Sequence, residues 1–344
     1  MKKLQNSLYL TKDKLYAHKE REAIVIKEDK TTLLKLPIHS ISNIFCFGQT
    51  NVSAGLMAHC AKNNVNLCYF DLFGRFQARI QGRQSGNVLL RRAQYRQSDP
   101  LSATSNAIEI ARVMIAAKIQ NSRGLLQRQL RNHQDNVAIK TVVERLNFSV
   151  EQAKNANSLD KLRGIEGDAA AQYFSVFQQL IKTSLHKDFP FTGRNRRPPK
   201  DAVNAMLSLL YSVVGQDISG ALQGVGLDPQ IGFLHADRPG RDSLAQDLLE
   251  EFRAYLVDRL VLSLINRQQI KASDFECEAS GAVKLKDPAR KVLFSALQQK
   301  KQQVIEHPFL KEKVEIGLLP HIQAMLLARH LRGDLAYYPP FLSR

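Results

Sequence analysis

The spacing of apolar residues changes near residue 86, and this change constrains the fold more than any other feature of the chain. Before it, short apolar runs such as residues 7–10, 23–26 and 41–47 are separated by turn residues, a pattern typical of β-strands. After it, apolar residues recur at helical spacing over most of the sequence. We therefore expect an α+β protein with a small β-sheet or sandwich at residues 1–86 and a larger, all-helical domain at residues 87–344.

Two local features qualify this general pattern. In the N-terminal part we expect one helix after Ser53, because Ser53 can cap it and Leu56 and Cys60 follow at helical spacing. Near the other end of the sequence, Pro339 and Pro340 interrupt any helix, so we expect a tail or a docking segment there.

The chain is strongly basic. Its 344 residues include 49 Lys and Arg against 32 Asp and Glu, which gives a formal net charge of +17. A charge of this size attracts polyanions, of which nucleic acid is the commonest. A charged surface that keeps the protein soluble is the simpler explanation, and an anionic membrane is a third. A membrane partner would be favoured by a basic amphipathic helix at a terminus, and the sequence shows none. We therefore retain nucleic-acid binding as the interpretation of the charge.

Two stretches hold much of the basic excess. Residues 73–98 contain six arginines and no acid, and residues 182–200 contain six basic residues and one acid, Asp188. Basic side chains on DNA phosphates release counterions and fix position without reading bases. The DNA-binding candidates from these stretches are Arg91, Arg92, Arg194, Arg196, Arg197 and Lys200.

Membrane-spanning and disulfide-rich classes of protein do not fit the sequence. No run approaches the ~18 apolar residues that a membrane helix needs. The cysteines include no close pair, which argues against a disulfide scaffold and against a cysteine zinc site. We therefore expect a protein of the reducing cytoplasm with no membrane partner.

Glu166 lies between Gly164 and Gly167, near the expected start of an alanine-rich helix. A carboxylate in the first turn of a helix is favoured by the helix dipole, so a purely structural role is the simplest explanation. The small neighbours would also let a substrate approach the carboxylate closely. Both roles stay open at this point.

His235 ends a short apolar segment that follows the turn at residues 226–229. A lone histidine at the end of a strand is more often a structural residue than a ligand. Imidazole is nevertheless a common metal ligand, so His235 stays a candidate.

Residues 243–266 favour one continuous amphipathic helix, in which Ser243 and Gln246 have the spacing of a capping box. At 3.6 residues per turn, several acidic residues fall within one arc of roughly 100°, opposite the apolar side. They are Asp247, Glu250, Glu251 and Asp258. A solvated acidic face is the usual explanation of such an arc.

Two observations oppose that explanation of the acidic arc. No lysine follows the acids by three or four residues to neutralise them, and Arg253 is predicted on a different face. The rest of the protein is also basic. Hard divalent cations prefer carboxylate oxygens, and Mn²⁺ also accepts imidazole. We therefore hypothesise that Glu166, His235 and Glu250 hold one Mg²⁺ or Mn²⁺ for phosphodiester chemistry.

An ordered set of motifs extends over much of the chain. It comprises Gly164-Ile-Glu-Gly167, Ala169-Ala-Ala-Gln-Tyr-Phe174, Arg196-Arg-Pro-Pro199, Asn204-Ala-Met-Leu-Ser208, Gly226-Leu-Asp-Pro229, Gly232-Phe-Leu-His235 and Asp247-Leu-Leu-Glu-Glu-Phe-Arg253. The set resembles that of the CRISPR-associated adaptation integrases, the endonucleases that insert new spacers into CRISPR loci. Residues 88–95 and Lys19-Glu-Arg21 further resemble the branch that accompanies type I-C systems.

The resemblance implies a site and its ligands. The metal ligands of the family fall on Glu166, His235 and Glu250, and Asp247 is implied as an auxiliary ligand of Mg²⁺ or Mn²⁺. Basic residues after the histidine are implied to contact DNA, and the candidates are Arg238 and Arg241. The sequence departs from the common family pattern at Gln246 and Ala254, neither of which is a proposed ligand.

The resemblance also implies an architecture and a reaction. An N-terminal β-sandwich pairs two copies into a homodimer, and two such dimers flank a dimer of a small ferredoxin-like second adaptation protein. The 3′-hydroxyl of a short DNA attacks the CRISPR repeat by transesterification, and double-stranded and branched DNA are substrates. Two alternatives stay open: a non-catalytic nucleic-acid-binding scaffold, and a general metal-dependent nuclease for branched or single-stranded DNA.

Overall fold

The computed structural model describes residues 6–82, 87–132, 136–196 and 198–343. Arg197 and the predicted domain boundary near residue 86 lie outside the described residues. Within them the fold is α+β, with strands in the N-terminal part and mainly helices in the rest, as the apolar spacing predicts.

The described residues of the N-terminal part contain eight strands and one α-helix: β1 (Asn6–Leu10), β2 (Leu15–Glu20), β3 (Ala23–Glu28), β4 (Thr31–Pro37), β5 (Ile41–Phe47), β6 (Asn51–Val52), α1 (Ala54–Lys62), β7 (Asn66–Phe70) and β8 (Phe76–Ile80). The predicted helix after Ser53 is confirmed, since the Ser53 hydroxyl accepts a hydrogen bond from the Leu56 amide at 3.2 Å. Sequence analysis missed β2, because its polar residues hide the alternation of a strand.

These strands form two four-stranded sheets, in the orders β1-β5-β7-β8 and β4-β3-β2-β6. One apolar core lies between them, with Ile44 and Leu67 from the first sheet and Ala17 and Ile24 from the second. Strand β5 is a long apolar run because it is a central strand, parallel to both neighbours and buried on both faces.

The outer face of the first sheet packs on the rest of the protein. Phe45, Phe47 and Phe70 belong to the core of the helical part rather than to the core between the sheets. Tyr9 of β1 stacks on Phe294, with ring centroids 4.4 Å apart. The N-terminal sheets and the helices are therefore joined by aromatic packing.

The helices of the second part are α2 (Val88–Ser98), α3 (Ala107–Asn132), α4 (Val137–Lys154), α5 (Leu159–Ser175), α6 (Ala202–Gly224), α7 (Ser243–Leu249), α8 (Arg259–Asn266), α9 (Asp287–Gln302) and α10 (Leu319–Leu331). The prediction of an all-helical domain is wrong in one respect. Two antiparallel strand pairs interrupt the helices: β9 (Phe275–Cys277) with β10 (Val283–Leu285), and β11 (Val304–Glu306) with β12 (Lys313–Glu315). Strands of three residues are too short for an alternating pattern to be recognised.

Helix α6 lies at the centre of the helical part. It is the one described helix that is long and apolar enough to cross a membrane, with 23 residues and a mean hydropathy of 1.2 in its most apolar window. However, 72% of that window is buried inside the protein, where side chains such as Val213 and Ile218 belong to the core. Packing within the protein accounts for the apolar character of α6.

The four cysteines form no disulfide. Cys46, Cys60 and Cys68 are buried in the N-terminal part, and Cys277 is exposed. Burial raises the pKa of the Cys46 thiol to about 12, so it stays uncharged and unreactive at neutral pH. The prediction that the chain has no disulfide scaffold is confirmed.

Candidate active site

One large cavity of about 1680 Å³ lies where α3, α5 and α6 meet the loop before α7. Its walls contain all three predicted metal ligands, Glu166, His235 and Glu250. Four of the predicted DNA-binding residues also line it: Arg194, Arg196, Arg238 and Arg241. The structure thus brings the acidic and the basic candidates to one place.

Glu166 projects from the middle of α5 rather than from its first turn. The helix begins earlier than predicted, at Leu159, where the Ser158 hydroxyl accepts a hydrogen bond from the Lys161 amide at 3.2 Å. The explanation of Glu166 as a first-turn acid is therefore wrong. A Cβ atom added to Gly164 or Gly167 would meet nothing within 4 Å, so the space beside Glu166 is open.

Lys118 of α3 joins the two carboxylates of the cavity. Its ammonium group donates a hydrogen bond to Glu166 and lies 2.8 Å from Oε2 of Glu250. Nε of Arg253 lies 2.9 Å from the same oxygen. Glu166 and Glu250, which are 84 positions apart in the sequence, therefore face one common cation.

Glu250 is fully ionised at neutral pH even though its side chain is only 4% exposed. Burial acts to raise its pKa, but the charges of Arg253 and Lys118 and the nearby His235 outweigh burial and lower the pKa to about 2. The cavity therefore holds a permanent negative charge at Glu250.

His235 lies in an irregular loop and not at the end of a strand. The buried carboxylate of Asp247 organises this loop, since it accepts backbone hydrogen bonds from Phe233, Leu234 and His235 at 2.6, 3.1 and 3.0 Å. Its Oδ1 also lies 2.6 Å from Nδ1 of the His235 ring. Because an ionised carboxylate only accepts, Nδ1–H donates this hydrogen bond, and Nε2 is the ring nitrogen that Asp247 leaves unengaged.

Asp247 is therefore occupied on both oxygens. The contacts favour a role in orienting His235 over the role of auxiliary metal ligand that the sequence suggested. Gly232 permits this arrangement, because a Cβ atom there would come within 2.8 Å of Oδ2 of Asp247 and 2.9 Å of Cβ of Ser243.

The predicted continuous helix at residues 243–266 is broken. Helix α7 ends at Leu249, a turn follows, and residues 253–258 form a short π-helical segment before α8 begins at Arg259. The predicted capping box is absent, because the Ser243 hydroxyl donates instead to the Ala236 carbonyl at 3.1 Å. Arg253 contacts Glu250 three positions before it, so the prediction that it lies on a different face is wrong.

The acidic residues of this segment do not form a solvated face. These residues are Asp247, Glu250, Glu251 and Asp258, and all four are at most 4% exposed. Each of them has partners of its own. Asp258 accepts hydrogen bonds from the hydroxyls of Tyr173 and Tyr211. Burial raises the pKa of Asp258 to about 6 despite these hydrogen bonds and the nearby arginines.

Tyr211 connects this buried group to the basic side of the cavity. The guanidinium groups of Arg253 and Arg194 lie over its ring, 4.5 and 5.2 Å from the centroid. Arg194 also donates to Ser208 Oγ at 3.1 Å and to Asn204. These contacts hold Arg194 in the wall of the cavity.

The other DNA-binding candidates are distributed over a wider surface. Arg196 and Arg238 are exposed at the cavity, whereas Lys200 and Arg92 are exposed but do not line it. Arg91 also lies outside the cavity wall, on α2. Of the described basic candidates, Arg194, Arg196, Arg238 and Arg241 therefore line the cavity, and Lys200, Arg91 and Arg92 do not.

Sequence reasoning missed Lys118, Arg253 and Tyr211. A signal for Lys118 was present, because it follows Met114 by four residues and Ile115 by three, and so places a charge on the apolar face of α3. A lysine that is largely buried is almost always paired, and Lys118 contacts two carboxylates.

The metal hypothesis can be tested against this arrangement. Among the described residues, no three His, Cys, Asp or Glu side chains are close enough to hold an ion as they stand. Instead the Lys118 ammonium lies between Glu166 and Glu250. The two carboxylates and the imidazole of His235 in the same cavity wall are donors of the kinds that hard divalent ions and Mn²⁺ accept.

The fold is shared with several solved structures. A solved Cas1 protein from Thermotoga maritima superposes with a TM-score of 0.81 at 22% identity, covering 98% of this chain and 100% of its own. A casposase bound to its integration product superposes with a TM-score of 0.82 at 22% identity, covering 96% and 92%. A Cas6-RT-Cas1–Cas2 complex gives 0.81 at 23%, covering 98% and 36%. These likenesses show a shared fold.

Sequence comparison identifies the family. Residues 8–299 match the family model described as CRISPR associated protein Cas1. The "CRISPR-associated endonuclease Cas1 1" of Chlorobaculum tepidum is 48% identical over the whole of both chains. The "CRISPR-associated endonuclease Cas1 2" of Rhodospirillum rubrum is 47% identical over 99% of each. The protein is thus CRISPR-associated, and it belongs to the Cas1 family, which confirms the resemblance seen in its motifs.

Proposed function

We propose that the protein is a metal-dependent DNA integrase and endonuclease of CRISPR adaptation, which joins the 3′-hydroxyl ends of short DNA to a CRISPR repeat. One observation carries the proposal: Glu166 and Glu250 share a cation inside a cavity that His235 and four arginines also line. The relatives that are named endonucleases, and the shared fold with a casposase bound to its integration product, support it.

Glu166, His235 and Glu250 would hold the Mg²⁺ or Mn²⁺. When bound, the ion supplies Lewis-acid stabilisation of charge on a phosphoryl oxygen. The residues are suited to this role, because Glu250 is ionised at neutral pH and Nε2 of His235 is not engaged by Asp247. Asp247 fixes the ring and its tautomer through Nδ1, as outer partners of ligating histidines commonly do.

The arginines of the cavity would bind the DNA backbone. Arg196 and Arg238 are exposed at the rim, where their guanidinium groups can take phosphates in a bidentate way. Arg194 is held by Asn204 and Ser208 and contributes a fixed positive charge. Arg241 completes this basic lining. We assign Lys200, Arg91 and Arg92 to contacts with DNA outside the cavity.

The reaction is a transesterification. The 3′-hydroxyl oxygen of the incoming DNA forms a bond to a phosphorus atom of the repeat, and the existing bond from that phosphorus to a 3′-oxygen breaks. The attacking hydroxyl loses its proton to solvent, and the leaving oxygen takes one up as a new 3′-hydroxyl. Water in place of the hydroxyl gives hydrolysis, and the reverse reaction resolves branched DNA.

We further propose that the protein works as a homodimer in the cytoplasm, in a heterohexamer with a dimer of the small ferredoxin-like second adaptation protein. The shared fold with a Cas6-RT-Cas1–Cas2 complex supports a Cas2 partner. Buried free thiols in the N-terminal part are consistent with a reducing compartment. Type I-C membership stays a prediction from the resemblance.

Strand transfer into a supercoiled plasmid that carries a CRISPR repeat tests the proposal. Glu166→Ala should lower strand transfer by about a hundredfold or more, because loss of a ligand should exceed the 10–100-fold cost of losing its outer partners. DNA affinity should stay within about twofold, since the arginines are unchanged. Glu144→Ala is the matched control, because Glu144 is exposed on α4 and does not line the cavity.

Three results would contradict parts of this proposal. Equal loss of DNA binding and folding in Glu166→Ala would favour a non-catalytic scaffold. Shortened strands without joined products would favour a general nuclease. Full activity of the wild-type protein in EDTA would exclude the metal.

A further inference from the structure

Residues 338–343, which we call the 338–343 segment, pack against the helix break that carries Glu250. Tyr338 and Phe341 are only 2% and 1% exposed, although Pro339 and Pro340 prevent regular structure between them. The ring of Phe341 stacks on Phe252, with centroids 5.6 Å apart. The segment predicted as a tail or a docking segment therefore docks on the protein itself.

The first contact of this segment is with Glu251, the residue after Glu250. The Tyr338 hydroxyl donates to Oε1 of Glu251 at 2.7 Å, and the Phe341 amide donates to Oε2 at 2.7 Å. Gln323 of α10 adds hydrogen bonds to Glu251 at 3.0 Å and to the Tyr338 oxygen at 2.8 Å. The carboxylate of Glu251 is thus held by three donors on the side away from the cavity.

The second contact is with Asn121, one helical turn after Lys118 on α3. The Asn121 amide donates to the carbonyls of Glu251 and Phe341 at 2.8 and 2.9 Å. Its oxygen accepts from the Ser343 amide at 2.8 Å. One side chain therefore connects α3, the helix break and the 338–343 segment.

None of the residues of this segment lines the cavity. They act on the two elements that carry Lys118 and Glu250, at positions next to those residues. The amides of residues 250–252 donate to the carbonyls three residues earlier, at 3.3, 3.3 and 2.9 Å, so a tight turn replaces the α-helix there. The contacts with Glu251 and Asn121 hold this turn from outside the helix.

We propose that the 338–343 segment is a positioning element of the active site, which fixes the direction of Glu250 by holding the Glu251 carboxylate and the Asn121 side chain. Tyr338 and Glu251 are then positioning residues, not catalytic ones. Only the consequence for metal binding rests on the proposed function, since the order of the backbone at Glu250 can be measured without metal.

The test compares the wild-type protein with Tyr338→Phe and with Tyr337→Phe. Tyr338→Phe removes one hydroxyl donor to Glu251 and keeps the ring, whereas Tyr337 is 62% exposed and serves as the matched control. A chain without residues 337–344 removes the whole segment. The two measurements are hydrogen exchange of the amides at residues 250–253 without metal, and Mn²⁺ affinity from the electron paramagnetic resonance signal of free Mn²⁺.

We expect the amides of residues 250–253 to exchange about tenfold faster in Tyr338→Phe, the effect of leaving one buried oxygen of Glu251 without its donor. Mn²⁺ affinity should fall by about tenfold, as for other outer partners of metal ligands. Tyr337→Phe should match the wild-type protein in both. The truncated chain should show larger effects in the same direction, and if it does not fold, Tyr338→Phe alone decides.

The outcomes separate this inference from the proposed function. A lower melting temperature for Tyr338→Phe, with unchanged exchange at residues 250–253, would overturn the positioning role and leave a purely structural one. Faster exchange with unchanged Mn²⁺ affinity would overturn the link from the segment to the metal site. Faster exchange in Tyr338→Phe, together with a wild-type protein that binds no Mn²⁺ at all, would support the positioning role and contradict the proposed metal.

Discussion

Replacement of Lys118 by methionine tests whether its ammonium holds the place of a divalent cation. The side chains of Lys118 and Glu250 are only 13% and 4% exposed, so their ion pair is a buried one. Breaking a buried pair by removing one partner costs roughly 3–5 kcal/mol. Arg253 stays 2.9 Å from Glu250 and compensates in part, so we expect Lys118→Met to lose about 2 kcal/mol of unfolding free energy in EDTA.

The same variant should respond more strongly to metal. A divalent ion held by Glu166 and Glu250, as we propose, would have to displace the ammonium group in the wild-type protein, and the ion pair would be lost. In Lys118→Met nothing has to be displaced, so Mn²⁺ should stabilise it by about 2 kcal/mol more than it stabilises the wild-type protein, the estimated worth of the lost ion pair. Urea denaturation in EDTA and in excess Mn²⁺ measures both quantities.

Lys154→Met is the control for this experiment. Lys154 pairs with Glu151 at 2.8 Å on the surface, where both side chains are more than half exposed, and its loss should cost less than about 1 kcal/mol with no effect of Mn²⁺. The reasoning fails if Lys118→Met unfolds at the same urea concentration as the wild-type protein in EDTA. It also fails if Mn²⁺ stabilises the two proteins equally.

Three further predictions concern the surroundings of the site. Asp247→Asn places an NH₂ group against at least two of the groups that donate hydrogen bonds to Asp247. The Mn²⁺ affinity measured by calorimetry should therefore fall about 10–100-fold, and an unchanged affinity would refute the orienting role. Gly232→Ala should cost about 1–3 kcal/mol in urea denaturation, because its Cβ overlaps Asp247 and Ser243; an unchanged midpoint would contradict this. Burial raises the pKa of Asp258 in the folded protein to about 6 from 3.8, so the folded state keeps the proton of Asp258 to a higher pH than the unfolded state does. The free energy of unfolding should therefore decline by about 3 kcal/mol as pH rises from 4 to 6. Asp258→Asn should remove this decline in denaturation curves measured between pH 4 and 7, and equal slopes in both proteins would count against it.

The apolar spacing predicted the strands and helices that are long enough to show a period. Strand β5 and helix α1 were expected at nearly their observed positions. Most buried residues of β5 form a continuous apolar run, and those of α1 recur at helical spacing. Strand β9 and its partner β10 were missed because three residues carry too little pattern. Local spacing therefore predicted the fold class and not its smaller sheets.

The candidate site was predicted in its residues but not in its connections. Motifs placed Glu166, His235 and Glu250 together, and the cavity contains all three. The helix break after Leu249 was not predicted, because residues 243–266 are a good helix by local pattern and only tertiary contacts oppose it. Lys118 was not predicted because its partners lie 48 and 132 positions away in the chain.

The break between α7 and α8 gives four acids of one short stretch four different sets of neighbours. In an unbroken helix, the side chains of Glu250 and Glu251 would point in directions only 100° apart. They could then not both reach their partners on opposite sides of the segment. The spacing of the acids between Asp247 and Asp258 is therefore fixed by their separate partners. A conservative replacement alters the contacts of one acid, whereas the insertion or deletion of one residue would move every later acid away from its partners at once.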